Sequence, residues 1–158
     1  HVLDTVRLTK QMGFWVEVVT LVVPGLNDTD EELREMAAFL AEVSPEIPWH
    51  VTAFHPDYQL NEPPRTSIET LLRAYEIGKS AGLQFVYPGN LPGYVGDREN
   101  TFCPNCNTML IERHGFQVRR NHMQGSNCPH CNQHIPGVWR PTPPRESKGP
   151  GHPRRVGV

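Results

Sequence analysis

The sequence has no cysteine before position 103 and only four in all. Its first two-thirds therefore hold no disulfide framework of the kind that staples small secreted domains. Long apolar runs are missing too: none approaches the roughly 20 residues of a membrane-spanning helix. There is no secretion-signal pattern, and the first residue is His1, inside a helical pattern. These features predict a cytoplasmic piece of a longer chain. Apolar residues make up 37% and charged residues 20% of 158, enough for a core of modest size.

Basic charge is also scarce over most of the chain. The net charge of −2 hides five basic residues (Arg140, Arg145, Lys148, Arg154, Arg155) and one acid, Glu146, at the C-terminal end. Ten basic and sixteen acidic residues remain before them, about −6 in sum. An acidic body argues against nucleic-acid binding by the whole chain, because phosphate contacts need clustered Lys and Arg.

What is present is an alternation. Val2, Leu3, Val6 and Met12 recur at roughly helical spacing, and Gly13 stops them. Phe14–Val23 is a nearly continuous β-branched run, which predicts a strand covered on both faces and ended by Pro24-Gly25. Thr29 with Glu32 makes a capping box, and Leu33, Met36, Ala37, Leu40 and Val43 line one face of a second helix. Pro45 and Pro48 end it. Trp49–Asp57 reads as a short buried strand stopped by His55-Pro56. After a polar loop over 57–65, Thr66 with Glu69 predicts another capping box. Ile68, Leu71, Leu72, Tyr75 and Lys79 then share a face, and Gly82 stops the helix. Leu83–Tyr87 is a third strand, followed by Pro88–Gly93.

Helices and strands in alternation predict βαβ units and a parallel sheet. Three strands cannot close a barrel. The fold class is therefore α/β, with residues 1–93 as the C-terminal half of a partial (β/α) barrel. A small four-cysteine module like a zinc ribbon follows at 99–139. Its span Thr108–Arg120 reads as a hairpin turning at His114-Gly115. After Trp139 the composition collapses to Pro, Gly and Arg, which predicts a disordered basic tail over 140–158.

The most specific local signal is a pair of knuckles, Cys103-Pro-Asn-Cys106-Asn107 and Cys128-Pro-His-Cys131-Asn132. Two residues between cysteines let one tight turn aim both sulfurs at one ion. Two such turns make a closed tetrahedral site that suits zinc. A single iron or an auxiliary iron–sulfur cluster is the alternative. Four thiolates leave no open position, so the role is structural rather than catalytic. Asn107 and Asn132 follow the second cysteine of each knuckle, where a left-handed backbone is common and Asn is the best non-glycine choice. His122, His130 and His134 lie nearby and read as surface residues.

His55 is the sharpest candidate in the first module. At the C-terminal end of a strand it could contact a ligand or move a proton, or it could merely bond a carbonyl of its own loop. His50, at the opposite end of the strand, reads as structural. Pro24-Gly25 and Pro88-Gly89-Asn90 read as turn chemistry or as further pocket lining on the edge His55 occupies. Glu17, Val19 and Leu21 share one strand face by period two. If that face points inward, a buried Glu17 needs a partner.

Phe14–Asp28 and Trp49–Asp57 closely resemble the radical S-adenosylmethionine (SAM) enzymes of the AmmeMemoRadiSam system, relatives of pyruvate formate-lyase activating enzymes. Pro88–Gly93, Glu99–Cys106 and Leu110–Gly115 fit the same pattern, so the resemblance spans residues 1–139. It implies a partial barrel of six (β/α) units with a cysteine-rich C-terminal extension. It further implies a [4Fe–4S] cluster that reductively cleaves SAM to a 5′-deoxyadenosyl radical, which abstracts hydrogen from a substrate. By the resemblance His55 contacts SAM, and Val19 and Leu21 lie on the strand lining the SAM pocket. Val19 stands where those relatives carry an arginine. The CxxxCxxC that holds the cluster is absent from this sequence, and neither CxxC pair has its spacing. In the family that motif lies near the start of the barrel. The chain therefore resembles the C-terminal part of such an enzyme, inactive alone, with an undefined substrate that is a protein or a small molecule. A competing reading makes the ribbon and basic tail a module that contacts nucleic acid or a partner protein. A third has the ribbon simply cap the open barrel.

Overall fold

The alternating pattern folds as mixed α/β in the computed structural model, which describes residues 1–139. The tail predicted to be disordered, 140–158, lies outside the described residues. The elements are α1 (Val2–Gln11), β1 (Val18–Val22), α2 (Asp30–Val43), β2 (Trp49–Ala53), α3 (Ile68–Ser80) and β3 (Val86–Gly89). A short 3₁₀ turn, Gly96–Glu99, leads into β4 (Thr101–Phe102), β5 (Met109–His114) and β6 (Gln117–Asn121). The first three strands form a parallel sheet in the order β1-β2-β3, and the last three an antiparallel one in the order β4-β5-β6.

Register decides which side chains meet. Val18 pairs with Trp49 and Trp49 with Val86, so Val18, Thr20, Val22, Trp49, Val51, Ala53 and Val86 share one face. That face packs on α2 and α3 through Leu33, Ala37, Leu40, Leu71 and Ala74. Burying each large apolar side chain of this core is worth about 1.5–3 kcal/mol. The Trp49 indole N–H is satisfied by Thr20 Oγ1 at 2.9 Å. Gly78 lets α3 lie close to the sheet: a Cβ there would stand 2.9 Å from both Trp49 Cε3 and Val86 Cγ2.

Several sequence expectations change in detail. The β-branched run over Phe14–Val23 forms a strand only at Val18–Val22, and it is not covered on both faces. Val19 is 65% exposed and Leu21 46%, because the packed helices lie on the other side. The second strand ends at Ala53, before His55. The third runs Val86–Gly89 and so includes Pro88, which its edge position tolerates. The N-cap of α3 is Ser67, whose hydroxyl accepts from the Thr70 N–H at 3.1 Å. Thr66 is instead buried, accepting from the Phe54 N–H and donating to the Val22 carbonyl. It ties the ends of β1 and β2 to the start of α3. The Thr29 cap of α2 forms as expected, accepting from the Glu32 N–H. The hairpin turns one residue later than expected, at Gly115-Phe116.

The second core is built around the cysteines: Cys103 and Cys128 with Leu110, Ile111 and Ile135. Phe85, just before β3, packs into it, and Tyr87 lies against it. The ribbon is thereby fastened to the parallel sheet.

Candidate functional site

Each cysteine knuckle closes on itself. The Asn107 N–H donates to the Cys103 carbonyl and the Asn132 N–H to the Cys128 carbonyl, at 2.9 and 3.0 Å. Both asparagines have positive φ, 56° and 58°. The turns present four sulfurs that all lie within 4.8 Å of one another. Cys103 Sγ is 3.6 Å from Cys131 Sγ, and Cys106 Sγ is 3.7 Å from Cys128 Sγ. A tetrahedral zinc–thiolate site has sulfur–sulfur edges of about 3.8 Å. The four cysteines thus fit a single ion such as zinc or iron, held with no open position.

The surroundings bias the thiols unequally. Burial pushes the Cys103 thiol up to about 12. The Thr108 hydroxyl, 3.3 Å from Cys106 Sγ, and the Thr108 N–H hold Cys106 down to about 5. The Asn105 side chain lowers Cys131.

The second feature is a cleft of about 1220 Å³ between the open face of the parallel sheet and the ribbon. Its floor is set by register: Val19 pairs with His50, and His50 with Tyr87. Glu17 continues the same face. Its carboxylate accepts from Trp15 Nε1 at 2.8 Å and meets His50 Nε2 at 2.9 Å. The His50 ring lies 5.3 Å from that of Tyr87, whose hydroxyl is 2.9 Å from Thr101 Oγ1. Burial pushes the Tyr87 hydroxyl up, while Thr101 acts in the opposite sense. Arg113 donates to the same Thr101 oxygen, with its guanidinium carbon 5.7 Å from the Tyr87 ring centre. Glu99, also lining the cleft, accepts from the N–H groups of Gly93 and Gly115. It clamps the hairpin turn to the loop after β3.

The residues singled out in the sequence separate. The four cysteines converge. Val19 lines the cleft, and Leu21 lies on the same sheet face but outside the lining. His55 is exposed and does not line the cleft; its Nδ1 is 2.6 Å from the Pro56 carbonyl oxygen. Pro88, Gly89 and Asn90 line the cleft, whereas Pro24 and Gly25 do not. The Asn27 and Asp28 side chains accept from the Val23 and Gly25 N–H groups, which makes the Pro24-Gly25 segment a self-closed turn. His50 and Arg113 are among the cleft residues that sequence reasoning passed over as candidates, with Tyr87, Glu99 and Thr101. The alternation of β2 placed His50 on the face opposite Trp49, but its partner Glu17 is 33 positions away.

No family model matches the chain, and no solved structure matches it. Over 137 residues, 85% of its length, the chain is 42% identical to the uncharacterized protein MJ0808 of Methanocaldococcus jannaschii, and it spans 40% of that relative's length.

Proposed function

We propose that this chain is the C-terminal part of a radical SAM enzyme akin to pyruvate formate-lyase activating enzymes, with β1–β3 as consecutive strands of a partial (β/α) barrel. One observation carries the reading. Among the described residues the parallel strands bear helices on one face only, and the opposite face, with Val19, His50 and Tyr87, floors a cleft of about 1220 Å³. That is how the inner wall of an open barrel is built. A relative that extends well beyond the matched stretch fits a longer parent.

The chain's own cysteines do not fit the SAM-cleaving cluster. All four sulfurs are gathered for one ion, and the cluster needs three thiolates with one iron left open. Its ligands belong elsewhere in the parent, and the four-cysteine site is a structural zinc that fixes the ribbon beside the sheet. Bound SAM and its cluster would supply the radical chemistry. Val19 offers an apolar patch in the cleft, while Leu21 on the same face and His55, whose Nε2 has no protein partner among the described residues, lie outside its lining.

The test is anaerobic expression of the longest reading frame containing this chain, with cluster reconstitution, a strong reductant and SAM. Formation of 5′-deoxyadenosine supports the proposal. A frame that carries no CxxxCxxC and forms none contradicts it. The second reading, a ribbon that binds nucleic acid, rests on β6, exposed throughout and carrying Arg119 and Arg120. Tight nucleic-acid binding that falls steeply with salt would favour it.

A further inference from the structure

The charged side chains lining the cleft are unequally satisfied. Glu17 is held by Trp15 and His50, and Glu99 by two backbone N–H groups. Arg113 makes no ion pair among the described residues. One of its nitrogens donates to Thr101 and the guanidinium also acts on the Tyr87 hydroxyl, but among the described residues no carboxylate takes its remaining donors. A guanidinium carries five donors in a planar fork that matches a carboxylate or phosphate.

The backbone holds Arg113 in place. Glu112 pairs with Arg120 and Arg113 with Val118, so Arg119 is an extra residue on β6. A bulge of this kind re-aims neighbouring side chains. The Arg113 N–H is taken by Asn100 Oδ1 at 2.8 Å, and its guanidinium lies near the Tyr87 ring. Trp15, Tyr87, Phe116 and Trp139 give the cleft aromatic walls. Its volume exceeds the roughly 300–1000 Å³ of ordinary small-molecule pockets.

We infer that the cleft binds an amphipathic organic anion, with Arg113 holding the carboxylate or phosphate and the aromatic walls taking the apolar body. Such a site stands with or without SAM chemistry in the parent.

The test uses the zinc-loaded 158-residue chain and a fluorescent aromatic anion, anilinonaphthalene sulfonate, beside the neutral phenylnaphthylamine. Saturable binding of the anion is expected. Arg113→Gln should weaken it about tenfold or more, the range of a charge-assisted contact. Arg113→Lys should weaken it less, and the neutral probe should bind all three proteins alike. Competition by naphthylacetate and by naphthyl phosphate then tells carboxylate from phosphate. Anion binding unchanged in Arg113→Gln overturns the inference, as does an equal loss of the neutral probe. If Arg113→Gln fails to retain zinc or its near-ultraviolet dichroism, the wild-type salt dependence decides. Anion affinity that ignores added chloride contradicts an Arg113 site.

Discussion

His50 Nε2 stands 2.9 Å from Glu17 Oε2, on the sheet face that the helices leave open. The pair joins β1 to β2 at the end of the sheet where the strands begin, opposite the His55 end. Its side chains are 31% and 47% exposed, so solvent screens it. An exposed pair contributes about 0.2–1 kcal/mol. Glu17→Gln should therefore lower the unfolding free energy measured in urea by less than about 1 kcal/mol. A larger loss would mean that the cleft floor is a stability element rather than a surface.

Thr66 should behave in the opposite way. Its hydroxyl serves the Phe54 N–H and the Val22 carbonyl at 2% exposure. Thr66→Val keeps the shape and strands both groups, at a cost of about 2–4 kcal/mol. Thr66→Ser keeps the hydroxyl and should recover most of that. Denaturant unfolding of both variants compares them, and equal losses would contradict the role of the hydroxyl.

At Gly78 two effects compete. Alanine favours a helix over glycine by about 1 kcal/mol. The added Cβ meets Trp49 and Val86 at 2.9 Å, and such overpacking costs about 1–3 kcal/mol. The neighbours are a fully buried indole and a β-branched strand residue, so the clash should win. Gly78→Ala is expected to lower the thermal midpoint, and a rise would show that α3 can move off the sheet.

These contacts show where the sequence is legible. Asn107 and Asn132 reveal their left-handed backbone because the reason is local: a thiolate turn that ends on an asparagine. The Thr29 cap is local in the same sense. Thr66 resembles Thr29 in its neighbours, but tertiary burial takes its hydroxyl for two strand ends, and Ser67 caps instead. The β-branched run around Val19 reads the same whether one face or both are covered. The partner of Glu17 depends on the register of β1 on β2, which no local pattern states. Arg113 shares its β5 face with Ile111, and both line the cleft, but no local pattern states that this face meets the parallel sheet.

The metal site has a pH signature. Cys106, held down to about 5, stabilises the metal-free ribbon as a thiolate above the ordinary thiol range, and that contribution is lost as pH falls through about 5. Cys103, pushed up to about 12, keeps its proton at neutral pH until an ion displaces it. Zinc affinity should therefore rise with pH between 5 and 8, with proton release. Calorimetry in two buffers of different ionisation enthalpy measures it. One equivalent of zinc is expected, and Cys103→Ser should lose it along with the β5–β6 hairpin dichroism. Affinity independent of pH would contradict ligation by these thiols.

The open face of β1 is tested by Val19→Asp. In this chain Val19 is 65% exposed, so the substitution should leave the thermal midpoint nearly unchanged. In the longest reading frame, the same substitution should abolish SAM-dependent formation of 5′-deoxyadenosine, because it places a negative charge on the inner wall where the resembling enzymes carry an arginine. Undiminished 5′-deoxyadenosine from that variant would contradict the placement of this face in a SAM-cleaving barrel.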